Sequence, residues 1–191
     1  QLGQGDPITR GDTANEMGEN TPIVNLNATV KELVSGERFH CAILSTDDVK
    51  CWGQNNYGQL GLGDLNSRGD NINEMAQNLP IVQLGTNRKA KDIAAGLYHV
   101  CALLDNDDLK CWGRNLEGQL GHNNTIQIGD QAGEMGDNLM PTNVGQGRRA
   151  VQISAGAHHT CAILDNGKLK CWGLNASGGL GLSDISNRGD A

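Results

Sequence analysis

The chain has 191 residues, of which 27 are Gly, only 3% are aromatic and four are Pro; such a composition argues against long helices. No apolar run approaches the ~20 residues of a membrane span. The net charge of −7, with a pI near 5.1 and charges interspersed along the chain, argues against sequence-independent nucleic-acid binding.

Repetition organises everything else. The six cysteines fall at 41, 51, 101, 111, 161 and 171, as pairs ten apart that recur every 60 residues. Around them CAILSTDDVKCWGQNNYGQLG (41–61), CALLDNDDLKCWGRNLEGQLG (101–121) and CAILDNGKLKCWGLNASGGLG (161–181) repeat. A second shared block precedes each: RGDTANEMGENTPIV from Arg10, RGDNINEMAQNLPIV from Arg68 and IGDQAGEMGDNLMPTNV from Ile128. Residues 1–12 read as the end of a preceding unit, followed by units 13–70, 71–130 and 131–190, with no linker and no second domain. Gln1 in place of Met, without a basic leader and apolar stretch, leads us to expect a processed chain or a portion of a longer one.

Within a unit, taken in chain order, the third copy predicts a strand over Val151–Ser154, a second over His159–Leu164, a turn at Asp165-Asn166-Gly167 and a third strand over Lys168–Trp172. The Pro-x-x-Val stretches at Pro80 and Pro141 predict a fourth, edge-like strand. Cys161 and Ile163 point to one side and Ala162 and Leu164 to the other, so the strand is apolar on both faces, as a sheet packed between two neighbouring sheets requires. Four short strands per repeat predict an all-β array of propeller blades.

Centring the hairpins on Thr46, Asn106 and Asn166 sets Cys41 opposite Cys51, Cys101 opposite Cys111 and Cys161 opposite Cys171. Opposed antiparallel residues lie within disulfide reach, and disulfides imply an oxidising, secreted or surface compartment. Reduced, buried cysteines are the alternative; zinc is a remote third, since its ligand pairs prefer two to four intervening residues.

The run H-x-C-A-(I/L)-L-D-N-x-x-L-K-C-W-G-x-N-x-x-G-Q-L-G resembles the repeat of the regulator of chromosome condensation family over essentially the whole chain. That resemblance implies a β-propeller, usually seven-bladed, one repeat per blade. Its nuclear members act as guanine-nucleotide exchange factors for a small GTPase and touch chromatin; others serve as receptors, scaffolds or inhibitors, including a bacterial inhibitor of β-lactamase. The paired cysteines here resemble a secreted branch. Three units fall short of a seven-bladed ring, so the expectation is a fragment of a longer protein, a ring closed by several copies, or blades continuing from chain to chain as a filament. The expected role is an extracellular, non-enzymatic scaffold that self-associates or meets neighbouring blades. The alternatives are a secreted protein-binding or inhibitor module and an exchange-factor-like propeller. Nucleic acid is not an expected partner.

Individual residues follow. Trp52, Trp112 and Trp172, at one phase, read as packing between blades rather than a ligand platform, and Met17, Met75 and Met135 as plugs of the blade junction. Arg-Gly-Asp at 10–12, 68–70 and 188–190 shares a phase with Ile128-Gly129-Asp130, so it reads as a turn and not an adhesion signal. Asp12, Glu16, Asp70, Glu74, Asp130 and Glu134 are weak calcium candidates; no other cofactor or metal is expected. His99 and His159 match Phe39, which excludes a catalytic base there, and no nucleophile–base arrangement or phosphate loop emerges around His40, His122 or His158. Asn27, Asn123 and Asn175 open N-x-S/T sequons and are glycosylation candidates, although Asn175 matches Asn55 and Asn115, whose amides read as serving a turn.

Overall fold

The computed structural model describes residues 1–191. Three antiparallel sheets of three strands follow one another: β1 (Val30–Ser35), β2 (Phe39–Leu44) and β3 (Val49–Gly53); β4 (Ala90–Ala95), β5 (His99–Leu104) and β6 (Leu109–Gly113); β7 (Ala150–Ala155), β8 (His159–Leu164) and β9 (Leu169–Gly173). The only helical pieces are single 3₁₀ turns at Gly18–Asn20, Ala76–Asn78 and Gly136–Asn138. No helix is long and apolar enough to cross a membrane.

The hairpin register is the one read from the cysteine spacing. Ile163 faces Leu169, Cys161 faces Cys171 and His159 faces Gly173, with the same pairing in the other two sheets. The tips close through a backbone bond from Leu44 N to Asp48 O, from Leu104 N to Asp108 O and from Leu164 N to Lys168 O. The left-handed residue each tip needs is Gly167 (φ 76°) in the third hairpin, but Asp47 (φ 62°) and Asp107 (φ 68°) in the others. Because Leu44 N donates to Asp48 O, alternation makes Cys41 and Cys51 a non-bonded, closely spaced pair. All six cysteines are disulfide-bonded in that register, with Cα–Cα distances of 4.0–4.1 Å.

The predicted fourth strand is not a strand. The Pro80 and Pro141 segments each give one backbone bond to the outer strand, Val82 N to Val49 O (2.8 Å) and Thr142 N to Leu109 O (2.7 Å). At Pro80, two residues before Val82, proline lacks the donor needed to carry the ladder further. The other end of that edge is covered by single bridges, Gly53 to Arg68, Gly113 to Ile128 and Gly173 to Arg188. Gly53 holds φ 106° there, and a Cβ would lie 2.5 Å from the Arg38 carbonyl oxygen, so this turn needs glycine.

The core lies between blades. Phe39, Cys41, Ile43, Val49 and Cys51 of the first blade meet Ile93, Val100, Ala102, Leu104 and Trp112 of the second. Ala94, Cys101, Leu103, Leu109 and Cys111 meet Ile153, Ala162, Leu164 and Trp172 of the third. A smaller cluster sets Leu26 and Leu79 against Ala42, Leu44 and Trp52. Every residue of β5 and β6 is buried, whereas Ile163, Leu169 and Lys170 of the third blade are exposed.

Each disulfide therefore closes a short hairpin inside or beside a seam. Replacing Cys101 and Cys111 together by Ala should destabilise the protein by about 3 kcal/mol from loop entropy alone, read as a lower urea midpoint for the variant.

Candidate interaction surfaces

Three kinds of contact join one blade to the next, and each recurs by residue phase. The first is an inward pair on facing strands. Phe39 packs in the same cluster as Val100; one blade on, His99 Nε2 lies 2.9 Å from Thr160 Oγ1, which donates to the Gln119 carbonyl (2.9 Å). The single Thr160 hydroxyl proton is committed to Gln119, so His99 donates from Nε2 and its Nδ1 is left buried without a partner. Burial, aided by the charges of His158, His159 and Arg114, pushes the His99 pKa down to about 3. A Cβ on Gly96 would lie 2.1 Å from the His99 ring, so the Ala-Gly turn makes room for it.

The second contact is a buried lysine. Lys110 Nζ donates to the carbonyls of Leu84 (2.9 Å) and Gly136 (2.8 Å), and Lys50 Nζ to those of Leu26 (3.1 Å) and Ala76 (2.6 Å). Each ammonium ties the segment before its blade to the 3₁₀ turn after it, and burial lowers the pKa of both. These lysines were not among the residues singled out from the sequence. The signal was present, since Lys stands at one phase in every (V/L)-K-C-W-G run.

The third is the Met–Trp junction. Trp112 Nε1 donates to Gln59 O (3.0 Å) and Trp172 Nε1 to Gln119 O (2.9 Å), so these tryptophans are packing residues with satisfied polar edges. Trp52 Nε1 is buried beside Gly3 without a protein acceptor. Met75 and Met135 sit against the same junctions, next to Gly3 and Gly61, whereas Met17 is 65% exposed.

The acidic loops are self-contained. Glu74 Oε2 accepts from the amides of Gly69 (2.9 Å), Asp70 (3.2 Å) and Asn71 (3.0 Å), and Glu134 Oε2 from Gly129, Asp130 and Gln131. Burial pulls the Glu74 pKa up, but the Asn71 and Gly69 bonds outweigh it and the carboxyl lies below its ordinary value. Amide donors converging on one oxygen favour an anion, here the loop's own glutamate; Glu16 repeats the arrangement with Gly11 and Thr13. The Arg of each Arg-Gly-Asp turns back onto an aspartate four residues earlier: Arg10 on Asp6, Arg68 on Asp64 and Arg188 on Asp184. Where Ile128 replaces the Arg, Asn124 replaces the Asp, so the triplet belongs to a turn. Asn175 is buried, with its side-chain amide bonded to Leu180 N and Asp184 O as a turn residue, whereas Asn27 and Asn123 are exposed.

One rim carries an aromatic and charged cluster on the β1–β2 and β4–β5 turns and the loops after β3 and β6. Tyr57 and Tyr98 meet at a tilt of 51° with ring centroids 5.0 Å apart, Arg114 lies 5.8 Å over Tyr57, and the Tyr98 hydroxyl donates to Glu37. Arg114 also binds Glu117 through two 2.8 Å bonds and donates to His158 Nδ1 (2.9 Å). His122 is half-buried elsewhere, and His40 packs on Trp52.

Comparison with known proteins settles the family. The Regulator of chromosome condensation (RCC1) repeat matches residues 30–59, 90–119 and 150–178, and a second form of it matches 48–103 and 109–163. The chain belongs to the regulator of chromosome condensation repeat family. Among curated relatives, the Ultraviolet-B receptor UVR8 of Arabidopsis thaliana is 34% identical over 74% of this chain and 28% of its own length. Protein RCC1 of Candida albicans is 29% identical over 80% of this chain and 33% of its own. The RCC1-repeat fold matches Prp20p of Saccharomyces cerevisiae at a TM-score of 0.65 and 23% identity, covering 84% of this chain and 37% of that one. Human WBSCR16 also gives 0.65, at 20% identity, over 87% and 40%. The chain thus spans less than half the length of each of these proteins.

The buried, neutral His99 makes stability depend on pH. The unfolded chain binds the proton below about pH 6.5 while the folded one does not until about pH 3, so stability is fully present above 6.5 and falls as pH drops. We expect the wild type to lose about 1.4 kcal/mol per pH unit within that window relative to His99→Phe/Thr160→Val, which recreates the Phe39–Val100 pair. Urea titrations at pH 6 and pH 4 measure the difference, and equal slopes would refute the assignment.

Proposed function

We propose that this RCC1-repeat array is a non-enzymatic scaffold module of an oxidising, extracellular compartment, and that its outer blade faces pack against further blades, those of other copies or those of a larger propeller to which these repeats belong. One observation carries the reading. The outward face of the third blade presents Ile163, Leu169 and the Cys161–Cys171 disulfide at the phases that are buried as Ile43, Val49 and Cys41–Cys51 in the first seam, and as Leu103, Leu109 and Cys101–Cys111 in the second. A sheet face of that composition is stable in water only when another blade covers it. Stacking one copy's third blade on the next copy's first is heterologous; it makes a filament unless the rotation closes a ring.

A second reading, a secreted module that captures or inhibits another protein, is favoured by the Tyr57–Tyr98–Arg114 rim, whose residue types dominate binding energy at protein interfaces. Prp20p is described together with its binding properties to Gsp1p and histones. An exchange-factor role here draws only on such likenesses, and three disulfides weigh against a reducing compartment.

Two measurements test the proposal. Intact mass without reductant, on the natural material, should show three disulfides; free thiols would count against the compartment. Light scattering should show masses rising with concentration in steps of 20.3 kDa, and Leu169→Lys, at an exposed site, should hold the protein as a monomer. A wild type that stays monomeric throughout its soluble range would remove the assembly reading.

A further inference from the structure

Asn166-Gly167 is the one Asn-Gly step in the chain, and it forms the tip of the β8–β9 hairpin. An Asn side chain before Gly is open to attack by the next backbone nitrogen, because no Cβ shields that nitrogen or restricts its φ. The reaction balances without an oxidant or a catalyst. Gly167 N bonds to Asn166 Cγ, the Cγ–Nδ2 bond breaks, and the backbone proton passes through solvent to the departing ammonia. The succinimide ring that results takes up water at either carbonyl. Breaking the new N–Cγ bond gives aspartate at 166; breaking the original peptide bond gives isoaspartate, with the chain running through Cβ and Cγ.

The other two hairpins supply internal comparisons. Thr46-Asp47 at the first tip has no amide to react. At the second, Asn106 is held at both ends of its amide: Nδ2 donates to Asp108 Oδ2 (2.7 Å) and Oδ1 accepts from Asp108 N (3.2 Å). The Asp107 that follows is tied down by Lys91 of its own blade and by Arg149 of the next (2.7 Å). The third tip lacks all of these restraints. Lys168 stands for Asp108 and leaves Asn166 only the bond from Lys168 N to Oδ1 (3.2 Å). Gly167 stands for Asp107, so no carboxylate is there for a cation to hold, and Val151 stands for Lys91. A Cβ on Gly167 would meet nothing within 4 Å. Asn106 is exposed even though β5 and β6 on either side of it are wholly buried between neighbouring blades. Exposure at this position therefore belongs to the hairpin and does not depend on what lies beyond the third blade.

We propose that Asn166 is a site of spontaneous covalent modification, converting to aspartate and isoaspartate in the folded protein. The one bond that remains assists the reaction, since Lys168 N donates to the oxygen on which charge develops when Cγ is attacked. Gly167 N must first leave Leu164 O (2.9 Å), and an exposed tip opens locally without disturbing the packed seam. The sheet survives the change, because the Cys161–Cys171 bond closes the hairpin below the tip and confines the extra backbone carbon of isoaspartate to the turn. Conversion puts a carboxylate on the only tip of the three whose two central residues include no aspartate.

The test follows full-length protein, disulfides intact, through incubation in mildly alkaline buffer, with peptide mapping by mass spectrometry. Asn166 should convert at least about tenfold faster than Asn106. Oxygen from isotopically labelled water should enter the product, and labelling by a protein isoaspartyl methyltransferase should reveal isoaspartate. Two variants each restore one missing restraint: Gly167→Asp, at a position where Asp47 and Asp107 hold φ 62° and 68°, and Lys168→Asp. Both should slow conversion of Asn166 towards the Asn106 rate. Conversion no faster at Asn166 than at Asn106 overturns the proposal, as does conversion confined to urea-unfolded protein or conversion that yields no isoaspartate.

Discussion

A sheet of three short strands that is apolar on both faces has no way to cover itself. Each blade here is such a sheet, and its stability comes from the neighbour on either side. The middle blade shows the condition satisfied, with all of β5 and β6 removed from water, and the third shows what remains when one side is open. The regular phasing follows from that constraint. A residue that faces a neighbouring blade must find its complement one repeat away, so side chains at a given phase are chosen against a partner roughly 60 residues distant rather than against their own sheet.

The loops enforce the spacing between blades. Buried lysines gather carbonyls from two segments that no strand would bring together, which satisfies backbone oxygens that would otherwise be stranded in the seam. Glutamates close the preceding turn by collecting its amides, and the tryptophan edge pins the Gly-Gln-Leu-Gly turn of the previous unit. Polar side chains therefore do much of the joining in a fold whose core is apolar. The His99–Thr160 pair shows the two modes to be interchangeable at one phase, since Phe39 and Val100 occupy the equivalent place one blade earlier.

Much of this was legible beforehand because the repeat multiplies each signal by three. The disulfide register followed from hairpin symmetry about Thr46, Asn106 and Asn166, and the second strand of the third unit, His159–Leu164, matches its predicted limits. Two things were not legible. The Pro80 and Pro141 segments have strand-like composition, but their single backbone bonds are decided by how the chain leaves the sheet edge. Lys50 and Lys110 sit in a run that reads as an alternating strand, where Lys is expected in water; only the third dimension shows carbonyls from both flanking loops converging on them. By residue type the acidic loop is a weak calcium candidate or a loop anchor, and only the structure shows the amides of the turn converging on Glu74 and Glu134.

The cross-strand disulfides also bear on how the chain behaves under tension. Pulling on its ends can separate blades and straighten the long loops between them, but it cannot unzip the β2–β3, β5–β6 or β8–β9 hairpins past the cysteines. Each bond withholds the ten peptide units between its cysteines, about 30 Å of extended chain. A strand of such modules would lengthen by parting its seams while every hairpin stayed knotted, ready to find its neighbours again when the load is released.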